Sequence, residues 1–236
     1  MALTEPFILL TERLILVPTP IAVHLTAYRA LYASLHADPN FCNMGFGEHF
    51  SVRKWSDDET QHIIKTRDID RSWKKHGLGD FAVGLREVGD SCAFEAECFE
   101  GITSPGKTLK LRSGDDFQRL VGQNYEGLQH IKWVGYAEPG DPPLPSWDEM
   151  CEVRYGIAPD FWGKALARDA AKSVLSWAFT KKGVKRFIAE TEKANERSGR
   201  LLRKLGFVPT ETNLYWKNPS ETEWECSVTS DSPFNM

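Results

Sequence analysis

Apolar and polar residues alternate in several short segments of the chain, and a period of two predicts β-strands that are buried on one face. Residues 11–18 (TERLILVP) show this alternation most clearly and are rich in branched side chains. The same pattern, or a short apolar run between turn residues, predicts further strands at 81–86, within 120–136, and at 150–157, 186–191, 207–210 and 215–228. The pattern therefore predicts about seven strands.

Other segments repeat their apolar residues every three to four positions, which is the period of an amphipathic helix. The clearest is 165–182, where leucine, valine and alanine side chains form one stripe and Gly183 provides a helix end. Helices are also predicted at 22–35, 57–76 and 195–205. Helices cluster early in the chain, whereas strands and helices alternate late. This order predicts a mixed α/β layer with a partly antiparallel sheet.

Between residues 87 and 119 the periodicity is lost. Gly89, Gly101, Pro105, Gly106 and Gly114 interrupt this segment, and residues of this kind break helices and strands. We interpret it as an insertion that holds a short hairpin or two. A second irregular segment, 138–149 (EPGDPPLPSWDE), is rich in proline and is expected to be an extended connection.

Composition excludes several classes of function. The chain has 236 residues, of which 41% are hydrophobic and 26% charged, as is typical of a globular protein. Its net charge of -4 argues against nucleic-acid binding as the main activity. No apolar run approaches the roughly 18 residues of a membrane span, and the N-terminal segment lacks a basic region, so a cytoplasmic location without a membrane partner is expected.

Cysteine and histidine spacing gives no metal site. The five cysteines include no CxxC pair, and reduced thiols in a cytosolic protein are the simplest interpretation. Cys92 and Cys98 lack a histidine nearby that could complete a site. The histidines show neither HxxxH nor HExxH spacing, so we expect that the protein uses no metal.

The segment 152–211 carries the clearest chemical signal. A strand ends at EVRYGIAPDFW, and the helix that follows begins in the small residues of GKALA. Small side chains at a helix start allow a phosphate to approach the first amides, and the helix dipole favours negative charge there. The Gly163-Lys164 pair does not belong to a P-loop, because the GxxxxGK[ST] spacing is absent.

This segment resembles the acyl-CoA-binding core of the GNAT N-acetyltransferase superfamily, most closely its RimJ/RimL-like branch. The branch usually has a sequence close to WGKGYA where this chain has WGKALA, and an N-x-x-S before LxKLGF where this chain has NERSGRLLRKLGF. The opening TERLILVPT is similar to the family's first strand. The resemblance extends from residue 11 to about residue 228, apart from the unmatched insertion at 87–119.

The resemblance implies a single GNAT domain over residues 1–230 and a flexible tail over 231–236. Its fold would be a central twisted, mostly antiparallel sheet of about seven strands, flanked by about four helices. The sheet would be splayed between strands 4 and 5, which here are 150–157 and 186–191. The pantetheine arm of acetyl-CoA, the co-substrate, would enter this gap.

The resemblance also implies a set of cofactor-binding residues. They are Ile157, Ala158, Trp162, Gly163, Lys164, Ala165, Leu166, Ala167, Asn195 and Ser198. Two positions depart from the family pattern: Asp160 replaces a glutamine or arginine, and Ala165 replaces the second glycine. Alanine suffices at 165 unless that position needs a positive φ, in which case we expect weaker cofactor binding. Asn195 has a simpler interpretation as a helix N-cap, with Ser198 a polar residue in the first turn.

The candidate catalytic residues are Glu152, Ser198 and Tyr215. Glu152 matches the acid of the family's AEIGY-like strand, here CEVRY, and would take a proton from the amine. Its alternative role is an ion pair with Arg154. Many GNAT enzymes have a tyrosine acid four residues after the serine, where this chain has Leu202, so Ser198 or Tyr215 is the candidate acid. A backbone N–H near Ile157 would stabilise the developing oxyanion.

Two further groups of residues have open roles. Trp133, Tyr136 and Trp147 flank the proline-rich segment and either line an acceptor pocket or pack in the core. Arg168, Arg200, Arg203 and Lys204 either bind the 3′-phosphate of CoA or form a solvated helix face.

The sequence thus predicts an acetyl-CoA-dependent N-acetyltransferase. Its acceptor would be a primary amine of a small molecule, a peptide or a protein N-terminus, attacking directly in a ternary complex. A catalytically degenerate acyl-CoA-binding module and an interaction domain are the alternatives. A homodimer is suggested by the family resemblance alone.

Overall fold

The computed structural model describes residues 5–47, 50–86, 109–140, 150–211, 215–216 and 218–228. The strands are β1 (Phe7–Leu10), β2 (Leu14–Pro18), β3 (Phe81–Leu85), β4 (Lys110–Ser113), β5 (Lys132–Gly140), β6 (Met150–Ile157), β7 (Arg186–Glu192), β8 (Val208–Pro209) and β9 (Glu221–Ser227). The helices are α1 (Thr19–Ala22), α2 (Thr26–Ala37), α3 (Pro39–Phe46), α4 (Asp57–Ile64), α5 (Lys74–His76), α6 (Gly114–Val121), α7 (Leu166–Lys182) and α8 (Glu196–Lys204). A π-helical segment, Lys65–Trp73, joins α4 to α5, and 3₁₀ turns lie at Gln123–Leu128 and Pro159–Phe161.

The strands form one open sheet in the order β4-β1-β2-β3-β5-β6-β7-β9-β8. Neighbouring strands are antiparallel except β6 and β7, which are parallel. The predicted mixed α/β fold with a mostly antiparallel sheet is therefore confirmed. The described residues contain nine strands rather than about seven, because β1 and β4 extend one edge of the sheet. They also contain eight α-helices rather than about four, since several short helices escape detection by periodicity.

The structure corrects the position of two predicted segments. Residues 110–121, which we assigned largely to the insertion, form β4 and α6, and β4 pairs with β1. The third predicted strand, placed within 120–136, begins only at Lys132 and continues to Gly140. A helix and a 3₁₀ turn occupy the start of that range because Gly122 and Gly127 interrupt the chain there.

The central parallel pair separates soon after it forms. β6 and β7 are paired only from Met150 opposite Arg186 to Glu152 opposite Ile188. Beyond that point β6 stays paired with β5 as far as Ile157, and β7 stays paired with β9. The sheet is therefore open between the two strands that were predicted as the fourth and fifth.

The core holds these elements around the opening. Helix α7 packs against β5 and β6 through a fully buried stripe that includes Ala170, Val174 and Leu175. Trp177 from the same helix stacks on Phe7 of β1, with ring centroids 5.3 Å apart. Burial of such side chains fixes the start of α7 relative to the end of β6. No helix in the described part of the chain is long and apolar enough to span a membrane.

Candidate active site

A cavity of about 1110 Å³ occupies the opening between β6 and β7. Its walls come from both strands, from α3 and α8, and from the loop that precedes α7. The residues that line the cavity extend from Ala167, at the start of α7, to Glu152, where the two strands separate. It therefore suits an elongated ligand with one end at a helix N-terminus.

The loop before α7 presents backbone amides to one end of this cavity. Gly163 has φ 78° and Ala165 has φ 60°, so the chain turns twice through left-handed conformations before α7 begins at Leu166. The first amides of a helix have no acceptor within the helix, and no side chain caps this one. Gly163, Ala165 and Ala167 all line the cavity. This donor set suits the pyrophosphate of a nucleotide cofactor such as acetyl-CoA.

Position 165 does require a positive φ, which a glycine would adopt freely and Ala165 adopts with strain. This is the case in which weaker cofactor binding is expected from the sequence. A left-handed backbone at a non-glycine residue costs roughly 1–2 kcal/mol. The strain is present before any ligand binds, so it lowers the stability of the folded loop rather than the affinity for a ligand. The alanine therefore does not by itself disable the loop.

Arg13, in the turn between β1 and β2, anchors the loop from outside the cavity. Its Nη1 donates to the carbonyl of Lys164 at 3.0 Å, and its Nε donates to Asp169 in the first turn of α7 at 3.1 Å. Sequence reasoning did not find Arg13, because nothing local marks a contact that spans about 150 residues. The side chain of Lys164 points elsewhere: its Nζ donates to the carbonyl of Asp160 at 3.0 Å.

The open edge of β6 also offers backbone groups to the cavity. The N–H of Ala158 donates to Val134 of β5 at 2.8 Å. Because successive N–H groups of a strand alternate in direction, those of Tyr155 and Ile157 are directed away from β5, into the opening. On the same side, Trp162 Nε1 donates to the Ile157 carbonyl at 2.6 Å. Trp162 thus holds the end of the strand against the loop.

Asn195 and Ser198 both line the cavity. The Asn195 Oδ1 accepts from the Ser198 N–H at 3.1 Å, which makes Asn195 the N-cap of α8. Its Nδ2 donates to the Met44 carbonyl at 2.7 Å, so the same side chain joins α8 to α3 across the cavity wall. The Tyr155 hydroxyl donates to the Ser198 carbonyl at 3.4 Å, and burial raises the pKa of Tyr155 to about 12.

Glu152 lies at the opposite end of the cavity and forms an ion pair with Arg154, whose Nε is 3.3 Å from its Oε1. Arg154 also makes a bidentate contact with Glu138 of β5, at 3.1 Å from Nε and 3.2 Å from Nη2. Side chains at even positions of β6 face α3, since a Cβ on Gly156 would lie 2.6 Å from the Phe41 ring. Glu152 and Arg154 share that face.

Behind Arg154 is a buried acidic cluster formed by Asp68, Asp80 and Glu138, with carboxylate oxygens within 4.8 Å of one another. Burial, followed by the charge of Glu138, raises the pKa of Asp68 and of Asp80 well above the ordinary value. Asp68 accepts hydrogen bonds from the Thr19 hydroxyl and from the Asp80 N–H. Three carboxyl groups this close together cannot all be ionised at low cost, so a proton is expected to be shared among them.

The π-helical segment positions the cluster. Its wider turn places Asp68 beside Asp80, which precedes β3, while Trp73 at its end donates Nε1 to the Asp80 carbonyl at 3.2 Å. π-helical turns occur frequently at functional sites. Sequence reasoning missed this cluster, because a helical period cannot reveal a change to π geometry.

Only some of the other predicted residues line the cavity. Tyr136 lines the cavity, whereas Trp133 is buried against Tyr28, with ring centroids 5.7 Å apart, and Ala158 lies outside the lining. The Tyr215 hydroxyl also lies outside it: it accepts from Arg186 and donates to Glu225 at 3.1 Å. Trp147, Cys92, Cys98 and the tail 231–236 are outside the described residues.

Three of the four cations that the sequence suggested for the 3′-phosphate of CoA line the cavity, and one does not. Arg168, Arg200 and Lys204 line the cavity. Arg203 instead lies over the Trp224 ring, 4.9 Å from its centroid. Arg197 also lines the cavity, with its guanidinium 5.3 Å from the centroid of the Trp162 ring, and no sequence pattern distinguishes it from its charged neighbours.

Together, an α/β sheet opened between two parallel strands and a helix start with uncapped amides form a site that suits an elongated, phosphate-bearing ligand. Comparison with known proteins shows what the chain is similar to. Residues 114–208 match the model of the acetyltransferase (GNAT) domain. The structure is similar to the acetyltransferase from Agrobacterium tumefaciens str. C58, with a TM-score of 0.57, 17% identity and 94% of each chain covered.

Two further proteins are informative. A ribosomal L7/L12 alpha-N-protein acetyltransferase, RimL, solved with coenzyme A, has a TM-score of 0.55 at 10% identity, over 93% of this chain and 97% of that one. The FsC-acetyl coenzyme A-N(2)-transacetylase of Aspergillus fumigatus is 28% identical over 123 residues, 44% of this chain and 52% of the relative. The chain thus spans about half the length of that relative. The chain therefore has the GNAT fold, and its residues 114–208 match the model of a GNAT domain.

Proposed function

We propose that the protein is an acetyl-CoA-dependent N-acetyltransferase in which a primary amine attacks the thioester directly in a ternary complex. The observation that carries this proposal is the continuity of one cavity. It joins the amides at the start of α7 to the carboxylate of Glu152, so a donor and an acceptor can be held at once. The match of residues 114–208 to an acetyltransferase domain supports the same activity.

The donor end of the cavity would hold acetyl-CoA, which supplies the activated acetyl group. The amides of Leu166 and Ala167 would bind the pyrophosphate, and Arg168 and Arg197, which line the cavity, would contact its phosphates. The pantetheine arm would run along the open edge of β6, where Tyr155 and Ile157 direct their N–H groups. One of these two amides would donate to the thioester oxygen as it gains charge.

The acceptor end would supply the base. An amine must be neutral to attack, and Glu152, which lines the cavity, would accept the proton that the nitrogen loses. As the new C–N bond forms, the C–S bond breaks and the thiolate takes a proton. Ser198, which lines the cavity, is the better placed of the two predicted acids, because Tyr215 bonds to Arg186 and Glu225 outside it.

Direct transfer, rather than transfer through an acyl-cysteine, is supported by Cys151. This thiol is fully buried on β6, and burial raises its pKa well above the ordinary value, so a nucleophilic thiolate is disfavoured. We further propose that the protein belongs to the RimJ/RimL-like branch, that one domain spans 1–230, and that it is cytoplasmic. A homodimer remains a proposal from resemblance.

The first test is a calorimetric titration of acetyl-CoA into the wild type, Gly163→Trp and Gly183→Trp. Both glycines have a positive φ, at 78° and 70°, and neither has an atom within 4 Å of an added Cβ. They lie just before and just after α7, so the two variants carry similar strain. We expect binding to be lost only in Gly163→Trp. Equal binding in all three proteins would contradict the proposed phosphate site.

The second test addresses catalysis. Glu152→Gln keeps the shape of the side chain but removes the base, so we expect kcat to fall roughly 10²- to 10⁴-fold with acetyl-CoA affinity unchanged. The assay is thioester consumption with a broad panel of amines. Near-normal turnover in Glu152→Gln would refute the assignment of the base. Tight acetyl-CoA binding without acetylation of any amine would favour a degenerate binding module instead.

A further inference from the structure

The acceptor end of the cavity contains a charge pair whose geometry is informative about the substrate. Arg154 and Glu152 lie two residues apart on the same face of β6, with the Nε and Oε1 atoms 3.3 Å apart. The Arg154 side chain is 50% exposed, although the carboxylate of Glu138 that holds it is only 7% exposed. The guanidinium is therefore fixed from behind and open toward the cavity.

The fixed guanidinium retains unused donors. Among the described residues its contacts involve Nε and Nη2, which leaves Nη1 directed to none of them. A planar guanidinium that is already oriented binds a carboxylate with little further loss of side-chain entropy. Because Glu138 is buried, Arg154 cannot move far without leaving that carboxylate uncompensated. Such rigidity is expected of a residue that recognises a substrate.

The walls around this pair restrict what else the ligand can be. Tyr136 and Phe41 line the cavity nearby, and Arg71 of the π-helical segment adds a second cation to the same lining. The lining also contains the carboxylates of Glu152 and Glu190, so the cavity presents charges of both signs. A ligand that carries both signs of charge matches this lining better than a simple amine.

From this arrangement we propose that the acceptor is an α-amino acid or a close analogue, with a free carboxylate on the carbon that bears the amine. In an α-amino acid the nitrogen and a carboxylate oxygen are separated by about 3 Å. The Nε of Arg154 lies 3.3 Å from the Oε1 of Glu152, so the guanidinium that carries the available Nη1 and the carboxylate are adjacent, as the two groups of such a ligand require. The amine would lie on Glu152 and the carboxylate on Arg154, so the four charges alternate in sign around a ring.

This inference rests on the proposed acetyltransferase function and narrows it. A protein N-terminus and a lysine side chain both lack a carboxylate beside the amine, so both would leave Arg154 without its ligand. An apolar side chain on the amino acid would contact Tyr136 and Phe41. The expected substrate class is therefore small apolar or aromatic amino acids rather than peptides.

The test compares pairs of acceptors that differ only at the carboxylate. Apolar L-amino acids and their α-carboxamides are assayed with acetyl-CoA, and the pH-independent limit of kcat/KM is compared, since the amine of the amide is the weaker base. We expect the wild type to prefer the acid by roughly 10- to 100-fold, as a charge-assisted hydrogen bond implies. Wild type that acetylates amides as well as acids overturns the inference and leaves the proposed function intact.

Two variants connect the preference to Arg154. Arg154→Lys keeps the charge but loses the planar fork, so we expect the preference to fall by about 10-fold. The double variant Arg154→Gln/Glu138→Gln avoids an unpaired buried carboxylate, and we expect it to lose the preference while amides still react. Arg119→Gln, an exposed arginine of α6, is the control and should keep the wild-type ratio. An unchanged ratio in both Arg154 variants would overturn the inference, and failure to acetylate any amine would overturn the proposed function with it.

Discussion

Ala165 gives the sharpest prediction about stability, because its backbone conformation is one that alanine adopts with strain. Its φ of 60° and ψ of 13° lie in the left-handed region, immediately before α7. We expect Ala165→Gly to make the protein more stable, although glycine usually destabilises helical regions. The substitution removes the clash between Cβ and the backbone that makes this region unfavourable.

The expected gain follows from two opposing contributions. Removing the left-handed strain recovers roughly 1–2 kcal/mol. Glycine also makes the unfolded chain more flexible, which lowers stability by about 0.4–1 kcal/mol. The net gain should be about 0–1.6 kcal/mol, which for a chain of this size raises Tm by up to roughly 6 °C. The affinity for acetyl-CoA should change less than about threefold, a difference worth under roughly 1 kcal/mol, because the strain is present with and without ligand.

Thermal and urea unfolding of the wild type, Ala165→Gly and Ala167→Gly would measure this difference. Ala167 makes the same chemical change two residues later, inside α7, where φ is helical. There glycine should lower stability by about 0.5–1 kcal/mol. The two variants should therefore differ in sign. A loss of stability in Ala165→Gly equal to that in Ala167→Gly would refute the left-handed conformation at 165.

Two further predictions concern the buried acids and the end of β6. Burial raises the pKa of Asp80, so the protonated folded form stabilises the protein at low pH, and this stability is lost as pH rises above about 4 toward the raised pKa. The Tm of Asp80→Asn should therefore exceed that of the wild type increasingly as pH rises. Asp57→Asn is the comparator: Arg29 lowers the pKa of Asp57, so the Tm of this variant should fall below that of the wild type as pH rises. A difference in Tm between Asp80→Asn and the wild type that does not change with pH would contradict the reasoning. Trp162→Phe removes the indole N–H that donates to the Ile157 carbonyl, so it should lower the free energy of unfolding by about 0.5–1.5 kcal/mol and weaken acetyl-CoA binding. Chemical unfolding and calorimetry measure the two effects. If stability and affinity both stay at wild-type values, this hydrogen bond does not hold the loop.

The elements with strong local signals were predictable from the sequence. The stripe of α7, the alternation in β2 and the small residues at the start of α7 each depend on neighbours within a few positions, and each appears where it was expected. The splay of β6 from β7 was also placed correctly. That prediction came from family resemblance, because the divergence of two strands leaves no mark in residue periodicity.

Features that depend on distant partners were not predictable. Lys110–Ser113 is short and mixed in polarity, and it becomes a strand because the edge of β1 is available to pair with it. Arg154 had an expected partner in Glu152 but not in Glu138, which comes from the neighbouring strand. The acid cluster needs the register of a π-helical turn, which sequence patterns treat as an ordinary helix.

The divergence of β6 and β7 also has a consequence for solubility. Unpaired strand edges usually invite pairing with strands of other molecules, and such pairing is a common route to aggregation. Here the unpaired edges face each other inside the molecule, between α3 and α8, which Asn195 ties together through Met44. A narrow ligand such as a pantetheine arm can enter the cavity between β6 and β7, whereas a strand that belongs to the sheet of another folded molecule cannot. The protein can thus keep backbone donors ready for a ligand without exposing a surface that promotes self-association.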